Sequence, residues 1–264
     1  MGSATVQGQL WGTHARDFAE RLEQTGLPLT SAVLDAAYVT PGTRLLDAGC
    51  GAGLLALLAS LRGAQVSALD ASAPLLAIAR ERVPTAEVRE GELEELPFAD
   101  ASFDAVTAVN SIFYAADVSA AMRELARVVR PGGRVVVTAW GPPDRSEFLS
   151  SVMPLAGPLM PPAPPGAPPA KPGALSEPGA LATLVETAGL GVAGAGEVEC
   201  PFVFPDAEAS WRANASAGPN QVAVAHSGED AVRAAIAEAD GAHTRPDGSI
   251  HYKNVFIWVA GQRP

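Results

Sequence analysis

The chain has 264 residues, a formal net charge of -11 and 48% hydrophobic residues, ample material for the core of one large α/β domain or two small ones. The acidic balance disfavours nucleic acid, whose binding rewards clustered Lys and Arg. No run of about 18 uncharged apolar residues offers a membrane span, and Met1 to Gly12 lacks the basic and apolar parts of a secretory leader. A cytoplasmic protein without nucleic-acid or membrane partners is expected. Cys50 and Cys200 are the two cysteines, too few and too far apart for a disulfide framework or a zinc site, and both read as small buried apolar residues.

Residues 9 to 39 carry two helical segments, one led into by Gln9–Phe18 and one over Pro28–Ala37 with proline in its first turn. Pro41-Gly42 turns the chain into a strand, Arg44–Asp47. It ends in the run Asp47-Ala48-Gly49-Cys50-Gly51-Ala52-Gly53, and the helix Leu54–Leu61 follows at once. Glycines belong where the backbone takes positive φ or lies directly against a ligand. The helix start behind them presents unpaired N–H groups and the positive end of its dipole. The dinucleotide fingerprint is G-x-G-x-x-G, but here the third glycine comes one residue early and Leu54 stands in its place.

Gln65–Asp70 is a second strand ending in a carboxylate, about 20 residues beyond the glycine loop. A carboxylate there can accept from both ribose hydroxyls of an adenosine-type cofactor, NAD or S-adenosylmethionine alike. It would equally serve as a helix N-cap before Ala71-Ser72-Ala73-Pro74. A helix over Pro74–Val83 closes with Arg80 and Arg82 near its negative dipole end. Then come a third strand, Ala86–Arg89, a loop over Gly91–Phe98, and a turn and fourth strand within Ala99–Asn110. A helix over Val118–Val129 stops at Pro131-Gly132-Gly133, before a fifth strand, Arg134–Trp140. Strands alternating with helices over about 100 residues imply a parallel sheet with right-handed crossovers.

The segments LLDAGCGAG, LDAS, GELEELPFADASFDAV and RVVRPGGRVVVTAWG stand in the order and spacing of the type 11, ubiquinone/menaquinone-biosynthesis-like group of class I S-adenosylmethionine-dependent methyltransferases. The resemblance covers Thr40 to Gly141. It implies a Rossmann-like, doubly wound seven-stranded sheet, mostly parallel with an antiparallel last strand, plus a helical cap. It also implies S-adenosylmethionine as cofactor. Gly49, Cys50 and Gly51 would lie against its methionine part, and Asp47 would hold the loop and the amino end. Asp70 would bind the ribose diol, with Ala71 beside the adenine. Glu92 would accept from the adenine amino group, Leu93 would meet a ring nitrogen through its backbone, and the Asn110 carbonyl would receive the ammonium. Glu92 also reads as one more solvated acid of an acidic loop. An acidic rim and backbone carbonyls suit a sulfonium better than a phosphate cradle would.

Candidates for a general base are few. Of His14, His226, His243 and His251, His14 alone sits in the amino-terminal helical segment that closes over the active site in the resembling family. Tyr38 and Tyr114 are further candidates, and Tyr114 follows strand four, near the carboxyl strand ends where ligands bind. Trp11 and Phe113 read either as core aromatics or as a lid. Clustered Asp and Asn ligands for a metal-assisted mechanism are not evident beyond strand four.

Downstream, Arg145–Met153 is helical. Pro154, Pro158, Pro161, Pro162, Pro164, Pro165, Pro168, Pro169, Pro172 and Pro178 then mark a stretch that can be neither helix nor central strand, a stiff surface excursion or substrate-side lid. A helix resumes over Pro178–Leu190 and a strand over Val192–Phe204. Asp206–Ala215 and Ser227–Ala239 are helices of a small cap that selects the acceptor, and Ile250–Ala260 is the final strand. The chain is therefore read as a single domain, with a helical cap over 1–39, a cofactor-binding core over 40–141, the Pro-rich insert over 154–178 and the remaining strands and cap helices over 179–264. The expected function is methyl transfer to a small molecule. The Ala-, Gly- and Pro-rich composition of GC-rich coding suggests secondary metabolism, in a monomer or homodimer. The alternative is a methyltransferase-fold protein that binds the cofactor without transferring its methyl, as a cyclase, an isomerase or a noncatalytic binding protein. An NAD-dependent oxidoreductase is disfavoured by Leu54.

Overall fold

The computed structural model describes residues 3–162 and 173–264. Its centre is a seven-stranded sheet in the order β3-β2-β1-β4-β5-β9-β6. The strands are β1 (Arg44–Ala48), β2 (Gln65–Asp70), β3 (Glu87–Glu90), β4 (Phe103–Ala108), β5 (Val129–Trp140), β6 (Gly191–Glu199) and β9 (Val255–Gln262). Strands β1 to β5 pair in parallel, and β9 runs antiparallel between β5 and β6. Both faces of the sheet are covered, so the central strands are apolar on both sides. Leu45 and Val136 enter one core cluster, and Leu46, Val135 and Val137 the other. The order changes direction between β1 and β4, which opens a crevice at the carboxyl ends of these two strands.

The helices of this core are α3 (Leu27–Ala36), α4 (Leu54–Leu61), α5 (Ala73–Arg82), α6 (Val118–Val128) and α8 (Ala180–Thr187). The amino-terminal segment begins earlier than the sequence suggested, with α1 (Ala4–Gly12), and breaks at Thr13-His14 before the single turn α2 (Ala15–Asp17). A π-helical turn over Phe18–Leu22 and a 3-10 turn over Glu23–Gly26 carry it into α3. Helix α1 lies on the start of α5, where a side chain at Gly8 would put its Cβ 2.2 Å from the Ala71 carbonyl oxygen. Glycine makes that approach feasible.

Several expectations for the second half are corrected. The fifth strand starts at Val129 rather than Arg134, because Val129 already pairs with Phe103 before a register shift. The helix α7 (Glu147–Ala156) contains Pro154, and Pro158 lies in a 3-10 turn over Gly157–Leu159. Pro154 falls in the last turn of α7, where little of the backbone ladder remains to be broken. Pro164, Pro165, Pro168, Pro169 and Pro172 of the insert lie outside the described residues. The expected strand Val192–Phe204 divides at Cys200-Pro201, and β7 (Phe202–Phe204) leaves the main sheet to pair with β8 (Ile250–Tyr252). The last expected strand divides likewise at Lys253-Asn254. Ser227 does not begin a helix. It ends α10 (Gly218–Ser227), which was not foreseen, and Gly228 at φ +89 separates it from α11 (Glu229–Gly241).

Helices α9 (Ala207–Ala215), α10 and α11 form the cap around Trp211, Ala223, Val232 and Ile236. Asp240 of α11, 3% exposed, binds the cap to β8 and α9. Its Oδ1 accepts from Tyr252 Oη at 2.6 Å and from Ser210 Oγ at 3.1 Å. Among the described residues no helix is long and apolar enough to cross a membrane. A buried carboxylate that loses a donor retains its desolvation cost, so Tyr252→Phe should lower the free energy of unfolding by about 1.5–3 kcal/mol in a urea titration.

Candidate active site

The loop after β1 folds back against β2. Gly49 and Cys50 donate their N–H groups to the Leu69 carbonyl at 2.7 and 3.0 Å, and Gly51 N–H donates to Asp70 Oδ2 at 2.9 Å. The other oxygen of Asp70 accepts from Ser72 N–H at 2.9 Å, at the start of α5. Gly49 sits at φ +78, and a Cβ there would lie 2.3 Å from that of Ser111. Ser111 in turn donates to the Ala48 carbonyl at 2.8 Å. Asn110, at the end of β4, takes the left-handed conformation at φ +50, which Asn tolerates better than most residues. Thr138 of β5 pins it by accepting from Asn110 N–H and donating to Asn110 Oδ1, both at 2.9 Å.

Two residues whose role the sequence did not reveal complete this wall. Glu23 reaches from the amino-terminal segment to accept from Leu54 N–H at 3.3 Å, and its other oxygen pairs with Arg82. Arg82 also donates to the carbonyls of Ala52 at 3.0 Å and Ala19 at 2.8 Å. A helix-terminal arginine thus joins the glycine loop, α5 and the amino-terminal cap. An acid 31 residues before its partner N–H has no spacing signature, so Glu23 was not legible as part of the site.

Asp47, Gly49, Cys50, Gly51, Asp70, Ala71, Glu92, Leu93 and Asn110 all line one cavity at the carboxyl ends of β1, β2 and β4, and Tyr114 lines it as well. His14 does not. It is exposed, in the break before α2, and among the described residues no histidine lines the cavity. Its expectation as a base is therefore dropped. Tyr38 is also removed from the site, because it lies 66% exposed under the Arg134 guanidinium, in a separate cleft with Asp104 and Arg130. Tyr114 packs edge-on against Trp11 at 5.2 Å, and burial raises its phenol above the ordinary value. It is a donor at neutral pH, not a base. Trp11 and Phe113 line the cavity too.

The electrostatics are one-sided. Glu23, Asp47, Asp70 and Glu92 line the cavity, and among the described residues no Lys or Arg does. Burial pushes Asp47 up to about 7, against a lowering hydrogen bond from Thr107 Oγ1 at 3.2 Å, and the Glu23 and Asp70 charges add to the rise. Its Oδ2 is buried without a partner. Burial likewise raises Glu23 and Asp70, and holds the Cys50 thiol protonated.

Residues 46–137 match the family model described as a methyltransferase domain. This stretch is a methyltransferase domain of the kind that its motifs resemble, and it covers about a third of the chain. An uncharacterized protein of Mycobacterium bovis is 37% identical over 128 residues, 47% of each chain. The methyltransferase GfsG of Streptomyces halstedii is 36% identical over 123 residues, 44% of each chain. The chain thus spans about half the length of the curated relatives it matches. A crystal structure of the [4+2]-cyclase SpnF has the same fold, with a TM-score of 0.58 and 22% identity over 92% of this chain and 84% of that one.

The cofactor that such a domain implies is S-adenosylmethionine. The wall fits such a molecule: its glycine at φ +78 leaves room that a Cβ would fill, and an unpartnered buried carboxylate oxygen suits a cation. Gly49→Ala should leave far-UV circular dichroism unchanged while S-adenosylhomocysteine affinity drops at least about tenfold in calorimetry, since strain of about 1–2 kcal/mol joins the clash with Ser111.

Proposed function

We propose that this methyltransferase transfers the S-methyl group to a small-molecule acceptor, in natural-product chemistry. The observation that carries the reading is a continuous cavity: the glycine loop, Asp70 and Glu92 at one part, and the aromatic side chains of Trp140, Phe202 and Phe256 at another. When bound, S-adenosylmethionine supplies an electrophilic methyl on a positively charged sulfur, so the protein's task is alignment and water exclusion.

Within this proposal each residue has a defined part. Gly49, Cys50 and Gly51 form the floor for the methionine portion. Asp47 Oδ2 and the Asn110 carbonyl hold the ammonium. The oxygens of Asp70 each accept one backbone N–H and retain lone pairs for the ribose diol. Ala71, Glu92 and Leu93 take the adenine. Tyr114 donates a hydrogen bond to cofactor or acceptor, and α1 with Trp11 closes the site from solvent. We assign residues 1–39 and the helices α9 to α11 to acceptor selection and 40–141 to the cofactor, all within one domain.

A second reading, cofactor binding without methyl transfer, is favoured by one observation, the absence of an imidazole from the described lining. Its likeness in fold to a [4+2]-cyclase makes such chemistry worth testing. Product mass separates the two: a gain of CH₂ marks transfer, and an isomer of unchanged mass marks cyclisation.

Two measurements test the cofactor assignment. Asp70→Ala should weaken S-adenosylhomocysteine binding about 10- to 100-fold in calorimetry, matching charge-assisted hydrogen bonds of about 1.5–3 kcal/mol. Unchanged affinity would sink the role of Asp70. The second concerns Asp47, whose folded value near 7 lies above its ordinary 3.8. In the free protein the stability linked to its neutral form is lost as pH rises through 7, and a bound cation favours the ionised form. Affinity for S-adenosylhomocysteine should therefore rise roughly tenfold from pH 6 to pH 8, until the ligand's own amino group, near 7.7–8.0 in a free amino terminus, begins to lose its proton. Asp47→Asn should flatten that rise.

A further inference from the structure

We infer that the acceptor is a flat heteroaromatic molecule whose nucleophile is a ring nitrogen unprotonated at neutral pH. The inference rests on the methyl-transfer reading and specifies its second substrate. Three observations converge on it.

The first is shape. Beyond the cofactor wall the cavity is bounded by Trp140 at the end of β5, Phe256 of β9 and Phe202 of β7. The Trp140 and Phe256 rings lie 4.4 Å apart and tilted, and those of Trp140 and Phe202 5.8 Å apart and edge-on. Phe202 and Phe256 are almost wholly buried against one another and Trp140, so they close this end of the cavity with an apolar aromatic surface, which suits an apolar aromatic body. Thr25 and Thr30 also line the cavity, and their hydroxyls are already committed. Thr25 Oγ1 donates to the Leu22 carbonyl at 2.7 Å and Thr30 Oγ1 to the Gly26 carbonyl at 3.0 Å.

The second is charge. Four carboxyl groups line the cavity and no described cation does. A carboxylate, phenolate or phosphate acceptor would enter a negative field without a partner.

The third is that, among the described residues, no group lining the cavity is left free to take a proton from an acceptor. No described histidine or lysine lines the cavity, Tyr114 and Cys50 are held protonated by burial, and Glu23 is engaged by Arg82 and Leu54. Asp47, Asp70 and Glu92 belong to the proposed cofactor wall. A nucleophile that must be deprotonated finds no free base among the described residues.

A pyridine-type nitrogen satisfies all three. Its lone pair forms the N–CH₃ bond as the S–CH₃ bond breaks, and the bonding pair of the latter stays on sulfur as a neutral thioether. No proton moves. The positive charge passes from sulfur to the ring, within the same acidic and aromatic surroundings.

The test uses bicyclic probes of one shape: isoquinoline, 2-naphthol and 2-naphthoate, each given to the full chain with S-adenosylmethionine and followed by mass spectrometry. Binding of each to the S-adenosylhomocysteine complex is measured in parallel by calorimetry. Isoquinoline should bind and become the N-methyl cation, with 2-naphthol and 2-naphthoate methylated at least about tenfold more slowly. Gly26→Leu provides the control of location. Gly26 lines the cavity at φ -83, a Cβ there meets nothing within 4 Å, and its neighbour Leu29 shares a core cluster with Phe202 and Phe256. The substitution should cut isoquinoline binding about tenfold or more and leave S-adenosylhomocysteine affinity unchanged. Faster methylation of 2-naphthol or 2-naphthoate would overturn the inference while leaving methyl transfer intact. So would a complex that binds S-adenosylhomocysteine but no isoquinoline, or an isoquinoline affinity indifferent to Gly26→Leu. Failure to bind S-adenosylhomocysteine would instead remove the methyl-transfer reading itself.

Discussion

The glycine loop after β1 has little of its own to hold its shape, and three side chains from elsewhere in the chain supply it. Asp70 accepts from Gly51 N–H, Arg82 donates to the Ala52 carbonyl, and Ser111 donates to the Ala48 carbonyl. Each comes from an element that also forms another wall of the cavity or borders it: the end of β2, the end of α5 and the turn after β4. The loop geometry and the cavity geometry are therefore one constraint. Arg82 extends it to the amino-terminal cap through Glu23 and the Ala19 carbonyl. A cap joined to the loop through this guanidinium, and through the hydrogen bond that Glu23 accepts from Leu54 N–H, cannot shift far without disturbing the proposed cofactor surface. This gives a direct physical route by which closure over the site and cofactor contact can be coupled.

The same arrangement concentrates acid. Glu23, Asp47 and Asp70 share a small buried region where burial raises all three, and the charges of Glu23 and Asp70 add to the cost of ionising Asp47. Asp70 offsets part of that cost with backbone donors and Glu23 with Arg82, whereas Asp47 has Thr107 on one oxygen and nothing on the other. Such a group is a liability in the free protein and a binding determinant once a cation is present. The stability lost at an unpaired carboxylate is recovered as affinity for a positively charged ligand.

How much of this was legible in the sequence follows from how local each feature is. The strand–loop–helix unit, Asp70 and Asn110 are announced by residues within a few positions of one another or at the ends of successive strands. They occupy one cavity, as expected. The sheet too was legible, because alternation and turn residues are local signals. Glu23 and Arg82 were not, since they meet across 59 residues of sequence. His14 looked favourable only by its place in the amino-terminal segment. A kink at Thr13-His14 that no periodicity encodes leaves it in solvent. The breaks at Cys200-Pro201 and Lys253-Asn254 were missed for a related reason. The flanking residues keep their strand character across both breaks, and only the pairing of Phe202–Phe204 with Ile250–Tyr252 shows that the segments belong to a second sheet.

That second sheet gives a physical route by which the proposed cofactor and acceptor compartments can vary independently. The wall proposed for the cofactor is built from β1, β2, β4 and the loops that follow them, a region that the methyltransferase-domain match largely covers. The aromatic compartment draws on Phe202, Phe256 and Trp140, two of them outside residues 46–137 and the third just beyond its end. Phe202 reaches the cavity because the chain leaves the main sheet at Cys200-Pro201, and that departure is stabilised by β8. The position of β8 is in turn fixed by Tyr252 and the buried Asp240 of the cap. Polar groups in the cap thus set the location of an apolar surface in the site, with no contact between them and any ligand. Changes in the cap helices can reshape the acceptor compartment through β8 and β7 while the glycine loop, held by Asp70, Arg82 and Ser111, keeps its form.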